Sequence, residues 1–355
     1  MSPKRESSTK RRWKIASRTV AVIGFMVVAL TGWILLKSGM QIPALPRPNG
    51  YDDFKRAGAM IVGSKPGPSR DEWKASEAEL RAFVMANQKA LAIGRAGLTK
   101  KCQVPLSAAR GTLDQQIADH IQWSSNIRKF ARLLVCEARL AGIEGRRDDA
   151  LRAELELIRL GPEAGRGGML IDCMVGQAIT GLGLALLRDN RAELTTAESR
   201  FVIRSLEASV ESREPIATVI ARERKFGKSA GVWQVRALAT LTSAFESQLT
   251  PAFNLFEFSE NRTLAESQLL IADLGLQIYR QEHEGAPDSL EELVPNLLAR
   301  VPFDPFQADE RPLIYRRETT GTSLYSVGPD GRDDGGKPIL QLEQKAQGDI
   351  SLSTW

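Results

Sequence analysis

From Ser76 onward, apolar residues recur at three- and four-residue spacing, the period of helices that bury one face. Ser76 and Glu79 have the spacing of a capping box and lead into Leu80, Phe83, Val84 and Leu91. A long helix is predicted over 114–144, with Ile117, Ile121, Ile127, Phe130, Leu133 and Leu134 on related faces. Gly145-Arg146-Arg147 reads as a short turn, and 148–160 as the returning helix, stopped by Gly161-Pro162. Residues 169–187 are apolar almost throughout, which predicts a central core helix. Thr195 and Glu198 form a second box. Arg213-Glu214-Pro215 opens a helix expected to run past Trp233 to about Phe245. Residues 76–258 are therefore expected to form antiparallel helical hairpins, as a bundle or a short α-solenoid.

The last hundred residues change character. A helix is predicted over 263–283, with Leu270, Ile271, Leu274 and Ile278 on one stripe. Gly285 can end it in the left-handed conformation, and Pro287 prevents continuation. Asp288 with Glu291 is expected to cap a short helix carrying Leu290, Leu293, Val294 and Leu297. Two strand-like pieces follow at 313–317 and 323–327, with Gly321 in the connection. Residues 328–336 are then rich in Gly and Asp. The fold class expected is mainly α, with a small C-terminal α+β unit over 259–355.

The N-terminal residues obey a different rule. Residues 19–36 are 18 residues without a charge, bounded by Arg18 and Lys37. At about 1.5 Å per residue they span roughly 27 Å, close to a hydrocarbon core of about 30 Å. Trp13 and Trp33 lie near the two ends, where indole rings favour the interface. A cleaved signal peptide would have a shorter apolar region and a small-x-small site, and none is clear after Lys37. Arg11-Arg12 has the start of a twin-arginine signal, but Lys14 stands where an apolar residue is wanted. An uncleaved transmembrane anchor is the expectation. Residues 37–75 contain Pro43, Pro46 and Pro48 and a second breaker at 64–68, and read as an extended linker.

Charge supports this division. The chain of 355 residues has 48 Lys and Arg against 43 Asp and Glu. Residues 1–18 hold seven of the former and one of the latter, leaving 41 against 42 in the rest. The basic tail before the span predicts a cytoplasmic N-terminus and an extracytoplasmic body in a single-pass membrane protein. The nearly neutral body has no surplus that would draw it to nucleic acid.

Several C-terminal pieces together resemble a known family. They are Tyr279-Arg280 leading to Gly285, Ser289 to Val294, Asp304-Pro305-Phe306, Tyr315-Arg316, Leu324 to Gly331, and the ending from Gly348 to Trp355. In order and spacing they resemble the globular end of type II secretion major pseudopilins, over about a quarter of the chain. The resemblance implies a helix laid across a small antiparallel sheet, and a calcium ion held by the C-terminal loop. Carried over by position, Val327 and Leu352 would offer backbone carbonyls, and Asp330 and Asp349 side-chain oxygens. Asp333 and Asp334 are further candidates. Calcium takes six to eight oxygens from such flexible loops. The same Asp and Gly residues also suit solvated turns. Pseudopilins carry a charged leader before Gly-Phe and a glutamate five residues into the helix. Here Gly24-Phe25 lies inside the apolar run and Ala29 takes the glutamate's place. The module therefore reads as one reused on another membrane protein, with an atypical pseudopilin as the alternative.

Catalytic motifs are few. Gly227-Lys228-Ser229-Ala230-Gly231 matches the nucleophile elbow, which needs a strand before the serine and a helix after it. Both flanks read as helical, so a serine hydrolase using Ser229 is a second alternative only. Residue 222 is arginine, which removes the first glycine of a P-loop. Cys102, Cys136 and Cys173 form no C-x-x-C pair and read as buried free thiols. His120 and His283 read as structural. The function expected is a non-catalytic, membrane-anchored binding or scaffold protein with an envelope protein partner.

Overall fold

A computed structural model describes residues 44–63, 75–106, 113–230, 244–318, 321–340 and 343–354. For 113–117, 225–230 and 244–249 it describes the backbone alone. The basic tail, the apolar span at 19–36, and Trp233 with its neighbours lie outside the described residues. The described chain is mainly helical, with a two-stranded antiparallel sheet near the C-terminus.

The first helix, α1 (Gly50–Ala59), falls where the linker was expected. Asn49 makes it possible: its Oδ1 accepts from the Tyr51 N–H at its own N-terminus and from the Gln103 N–H, while its Nδ2 donates to Gln103 O. Tyr51, Phe54 and Ala57 then form one buried face. Residues 50–59 thus belong to the core. Their apolar face is only three residues wide and lies among Asp52, Asp53, Lys55 and Arg56, which hid it in the sequence.

The capping box of Ser76 and Glu79 forms as expected and opens α2 (Glu77–Ala86). The helix does not continue to Leu91. It breaks at Asn87 and restarts as α3 (Gln88–Leu98). The Asn87 side chain bonds both the N–H and the carbonyl of Val62, so the break is a joint that fastens the chain beyond α1. Next come α4 (Leu113–Ile143) and α5 (Arg147–Gly165). The latter passes through Pro162 instead of stopping there. Continuation is favoured by a close crossing with α6 (Leu170–Asn190): a Cβ on Gly161 would lie 2.5 Å from Gly176 O, and one on Gly176 2.4 Å from Gly161 O.

The central position of α6 agrees with its sequence. An 18-residue window within Leu170–Glu193 has a mean hydropathy of 1.7, enough for a membrane span by composition, yet 56% of that window is buried against protein. The Thr195–Glu198 box opens α7 (Thr196–Glu211), which α8 (Ile216–Ala230) follows. The last helix, α9 (Ala244–Glu282), is 39 residues long.

The boundary expected at 258 is therefore the middle of a helix. One core joins α1 to α6 around Phe54, Leu91, Phe130 and Leu134. A second joins Leu184, Val202, Ile203 and Leu206 to Leu270, Leu274, Leu293 and Ile350. The C-terminal unit is thus welded to the helical layer through α9, because both sides of that helix carry apolar residues.

Beyond α9, a 3-10 turn at Leu290–Leu293 is capped by Ser289 and Glu292, one residue later than the expected Asp288–Glu291 pair. β1 (Ile314–Glu318) pairs antiparallel with β2 (Gly321–Tyr325), in the register Ile314 to Tyr325. Ser326 and Ile350 then exchange two backbone bonds of 2.8 Å. Arg280 on α9 donates to Thr322 on β2 at 2.9 Å.

Candidate functional site

The two ends of the Gly/Asp-rich loop meet. A Cβ on Gly328 would lie 2.4 Å from Gly348 O, so Val327 and Asp349 flank a backbone contact. Behind them, fully buried Asp304 organises the chain: Oδ1 accepts from Ser326 Oγ at 2.7 Å and Phe306 N at 3.0 Å, and Oδ2 from Val327 N at 2.8 Å. This explains why Asp304-Pro305-Phe306 accompanies the later segment.

The carboxylates proposed for calcium are engaged by the protein. Asp349 is buried, and its oxygens accept from Asp334 N at 3.3 Å and Gly336 N at 2.7 Å. Burial raises its pKa despite those two donors. Asp333 accepts from Gly335 N and the Tyr325 hydroxyl, each at 2.9 Å, and pairs with Arg316 at 2.5 Å. The Gly335 N–H leads the contacts that hold its pKa below the usual range. Asp330 accepts from Arg332 N, two residues on. Leu352 packs half-buried against the second core. Among the described residues, no three His, Cys, Asp or Glu side chains gather as a metal-ligand set. In this arrangement Asp330, Asp333 and Asp349 each accept hydrogen bonds from the protein's own backbone.

A larger feature lies between α3, α5 and α7. It is an open groove of about 1000 Å³. Leu151, Leu155, Ile158, Phe201 and Ala208 give it an apolar floor, with Ser205 and Ser209 beside them. Phe201 is 53% exposed, although a phenylalanine on a helix of this amphipathic kind is expected to be covered. Arg95 braces one wall: its Nε meets both oxygens of Glu156 at 2.9 and 3.0 Å, and its Nη2 meets Glu137 at 2.6 Å. These bonds tie α3, α4 and α5 together and make the wall rigid. On its own, the groove can bury an apolar face but holds no convergent nucleophile and base.

Elsewhere the expected chemistry does not assemble. Residues 227–230 continue α8 as a helix, so Ser229 has no strand before it and no elbow. His120 Nδ1 lies 3.4 Å from Asp172 Oδ1, while Asp172 Oδ2 accepts from Met169 N at 2.9 Å at the start of α6. His120 also packs against Trp123, beneath Lys55 of α1. That set joins α1, α4 and α6 and has a structural role. The three cysteines are free thiols. Burial pushes Cys102 and Cys173 up to about 12, far from a reactive thiolate.

Two buried carboxylates were missed by sequence reasoning. Glu154 on α5 bonds Asn190 at 2.6 Å, and burial pushes its pKa up to about 7. Glu266 on α9 meets Arg188 at 2.8 Å and is likewise pushed up to about 7, mainly by burial. The groove was missed as well; its one sequence signal is Phe201 standing beside the core pair Val202 and Ile203 and thus off their face.

The chain matches no family model, no curated protein and no solved structure.

Proposed function

We propose that this protein is a single-pass membrane protein whose extracytoplasmic body binds an envelope protein partner without catalysing a reaction. The observation that carries this reading is the groove between α3, α5 and α7. Its apolar floor, hydroxyl-bearing side and charged walls suit an amphipathic helix laid along it, with its apolar face inward. The uncharged run at 19–36 and the basic tail before it support the anchor and its orientation. The C-terminal unit, with α9 bonded to a small antiparallel hairpin, supports the resemblance to a pseudopilin globular end reused as a module. Its core is continuous with that of the helical layer, so the module braces the groove-bearing body.

Photo-crosslinking tests the reading. A benzoylphenylalanine at position 201 of the full chain, expressed in its native membrane, is expected to trap one defined envelope protein. Ser205→Trp, which fills the groove, is expected to abolish that adduct. An unchanged adduct in the Ser205→Trp protein, or no adduct at all, counts against the groove.

A further inference from the structure

Ser212 lines the groove and also a second hollow. It is a cavity of about 40 Å³ between α5, α6, α8 and α9. That is room for about three water-sized groups. Val219, Phe256 and the backbones of Gly161 and Gly176 wall it. Its polar lining includes Gln177, Arg213 and Glu260, together with Thr180, which donates to Gly176 O, and Arg166 and Glu214, which are paired with Glu163 and Arg222.

Gln177 is 6% exposed. Its Nε2 donates to Glu260 Oε2 at 2.5 Å, which fixes the amide, since the flipped form would set oxygen against a carboxylate. Gln177 Oε1 is left without a hydrogen-bond partner. Arg213, with a side chain 12% exposed, is ion-paired through Nη1 to Glu260 Oε1 at 3.0 Å, a contact out of line for a hydrogen bond. One unmet buried acceptor, and one ion-paired donor with hydrogen-bonding capacity to spare, thus line the same hollow. Buried acceptors are rarely left unmet, so Gln177 Oε1 calls for a partner.

The chemistry of that partner follows from its neighbours. Glu260 already neutralises Arg213, so an anion would lie against Glu260 and against Gln177 Oε1. A cation would meet Arg213. A group that only accepts leaves Gln177 unmet. A carboxamide is neutral, donates through N–H, accepts through C=O, and has three heavy atoms to fill a space of this size. Resting on the groove reading, we propose that this cavity is a specificity pocket that takes the primary amide of an asparagine or glutamine carried by the segment in the groove.

The probes are acetamide, acetone and acetate, which share a shape and differ in donor and charge. Methyl NMR of the full chain in micelles reports on Val219 in the cavity wall and on Leu274 in the second core. Acetamide is expected to shift Val219 saturably and leave Leu274 unmoved, with acetone and acetate at least tenfold weaker. Gln177→Met is expected to weaken acetamide at least tenfold. Equal binding of acetone, an absence of saturation, or an unchanged Gln177→Met protein overturns the pocket. The comparison of the three probes uses the unaltered chain, so it decides even where the variant fails to fold. Acetamide binding without a crosslink at position 201 would sink the groove and spare the pocket; the reverse would sink the pocket alone.

Discussion

Asp349 Oδ2 accepts a hydrogen bond from Gly336 N at 2.7 Å across a loop whose ends meet at Gly328 and Gly348. The loop is closed by its own backbone donors, with Asp334 N supplying the second. An ion at this place would compete with both for the carboxylate. Thermal unfolding of the full chain is therefore expected to shift by less than about 1 °C between calcium and a chelator, a far smaller change than a site occupied at a hundredfold over its Kd produces. A rise of several degrees with calcium would restore the ion-binding loop. Asp349→Ala is expected to cost about 1–2 kcal/mol, because it removes the buried acceptor that two loop N–H groups share.

Asp304 acts on a longer range. Its carboxylate gathers Phe306 N, Ser326 Oγ and Val327 N, and no part of it is exposed. Charged acceptors contribute more than neutral ones, and an orphaned buried donor costs more than a lost bond. Asp304→Ala is expected to destabilise by roughly 3–4 kcal/mol in chemical denaturation, with Asp304→Asn milder, since one amide oxygen can keep part of the set. Equal losses for Ala and Asn would mean that volume, not acceptance, matters here.

How far the sequence carried the structure depended on the range of each signal. Capping boxes at Ser76 and Thr195 are local, with both partners three residues apart, and they formed where expected. The long helix expected over 114–144 is displaced by one residue at each end. Errors arose where distant packing overrode a local rule. Pro162 stops an isolated helix, yet here the crossing with Gly176 keeps it going. Asn87 looks like any polar residue until Val62 is seen beside it. The groove needs α3, α5 and α7 together, and no window of the sequence contains all three.

The crossing of α5 and α6 offers a matched pair of glycines. Gly176 has backbone of α5 within 2.4 Å of a would-be Cβ, and neither helix can yield without losing the other. Gly176→Ala is expected to destabilise by about 1–3 kcal/mol through overpacking. Gly181, five residues on in the same helix, has nothing within 4 Å of that position. Gly181→Ala is expected to stabilise by about 0.5–1 kcal/mol, since alanine loses less backbone freedom on folding. Thermal melts of the two variants should thus move in opposite directions. Movement in the same direction would show that the close approach is relaxed in solution.

Glu154 makes stability depend on pH. It sits buried on α5 with Asn190 as its hydrogen-bonding partner, and burial lifts its folded pKa to about 7, from an unfolded value near 4.5. A raised carboxyl pKa means that the folded state holds its proton more tightly than the unfolded state. The benefit is complete below about 4.5, shrinks as pH rises through the interval, and is gone above about 7. At neutral pH and above, the buried charge then costs on the order of 3 kcal/mol relative to an exposed one. Glu154→Gln removes that titration and keeps an oxygen that can accept from Asn190. It is expected to leave stability at pH 5 nearly unchanged and to raise it by about 2–3 kcal/mol at pH 8. Glu266, with a similar folded pKa, faces Arg188, so the same substitution there removes a carboxylate that partners a buried guanidinium above about pH 7 and is expected to gain less at pH 8 than Glu154→Gln. Denaturant unfolding of both variants at pH 5 and pH 8 separates the two cases. A Glu154→Gln gain that is the same at the two pH values would show that the carboxyl is not protonated in the folded protein.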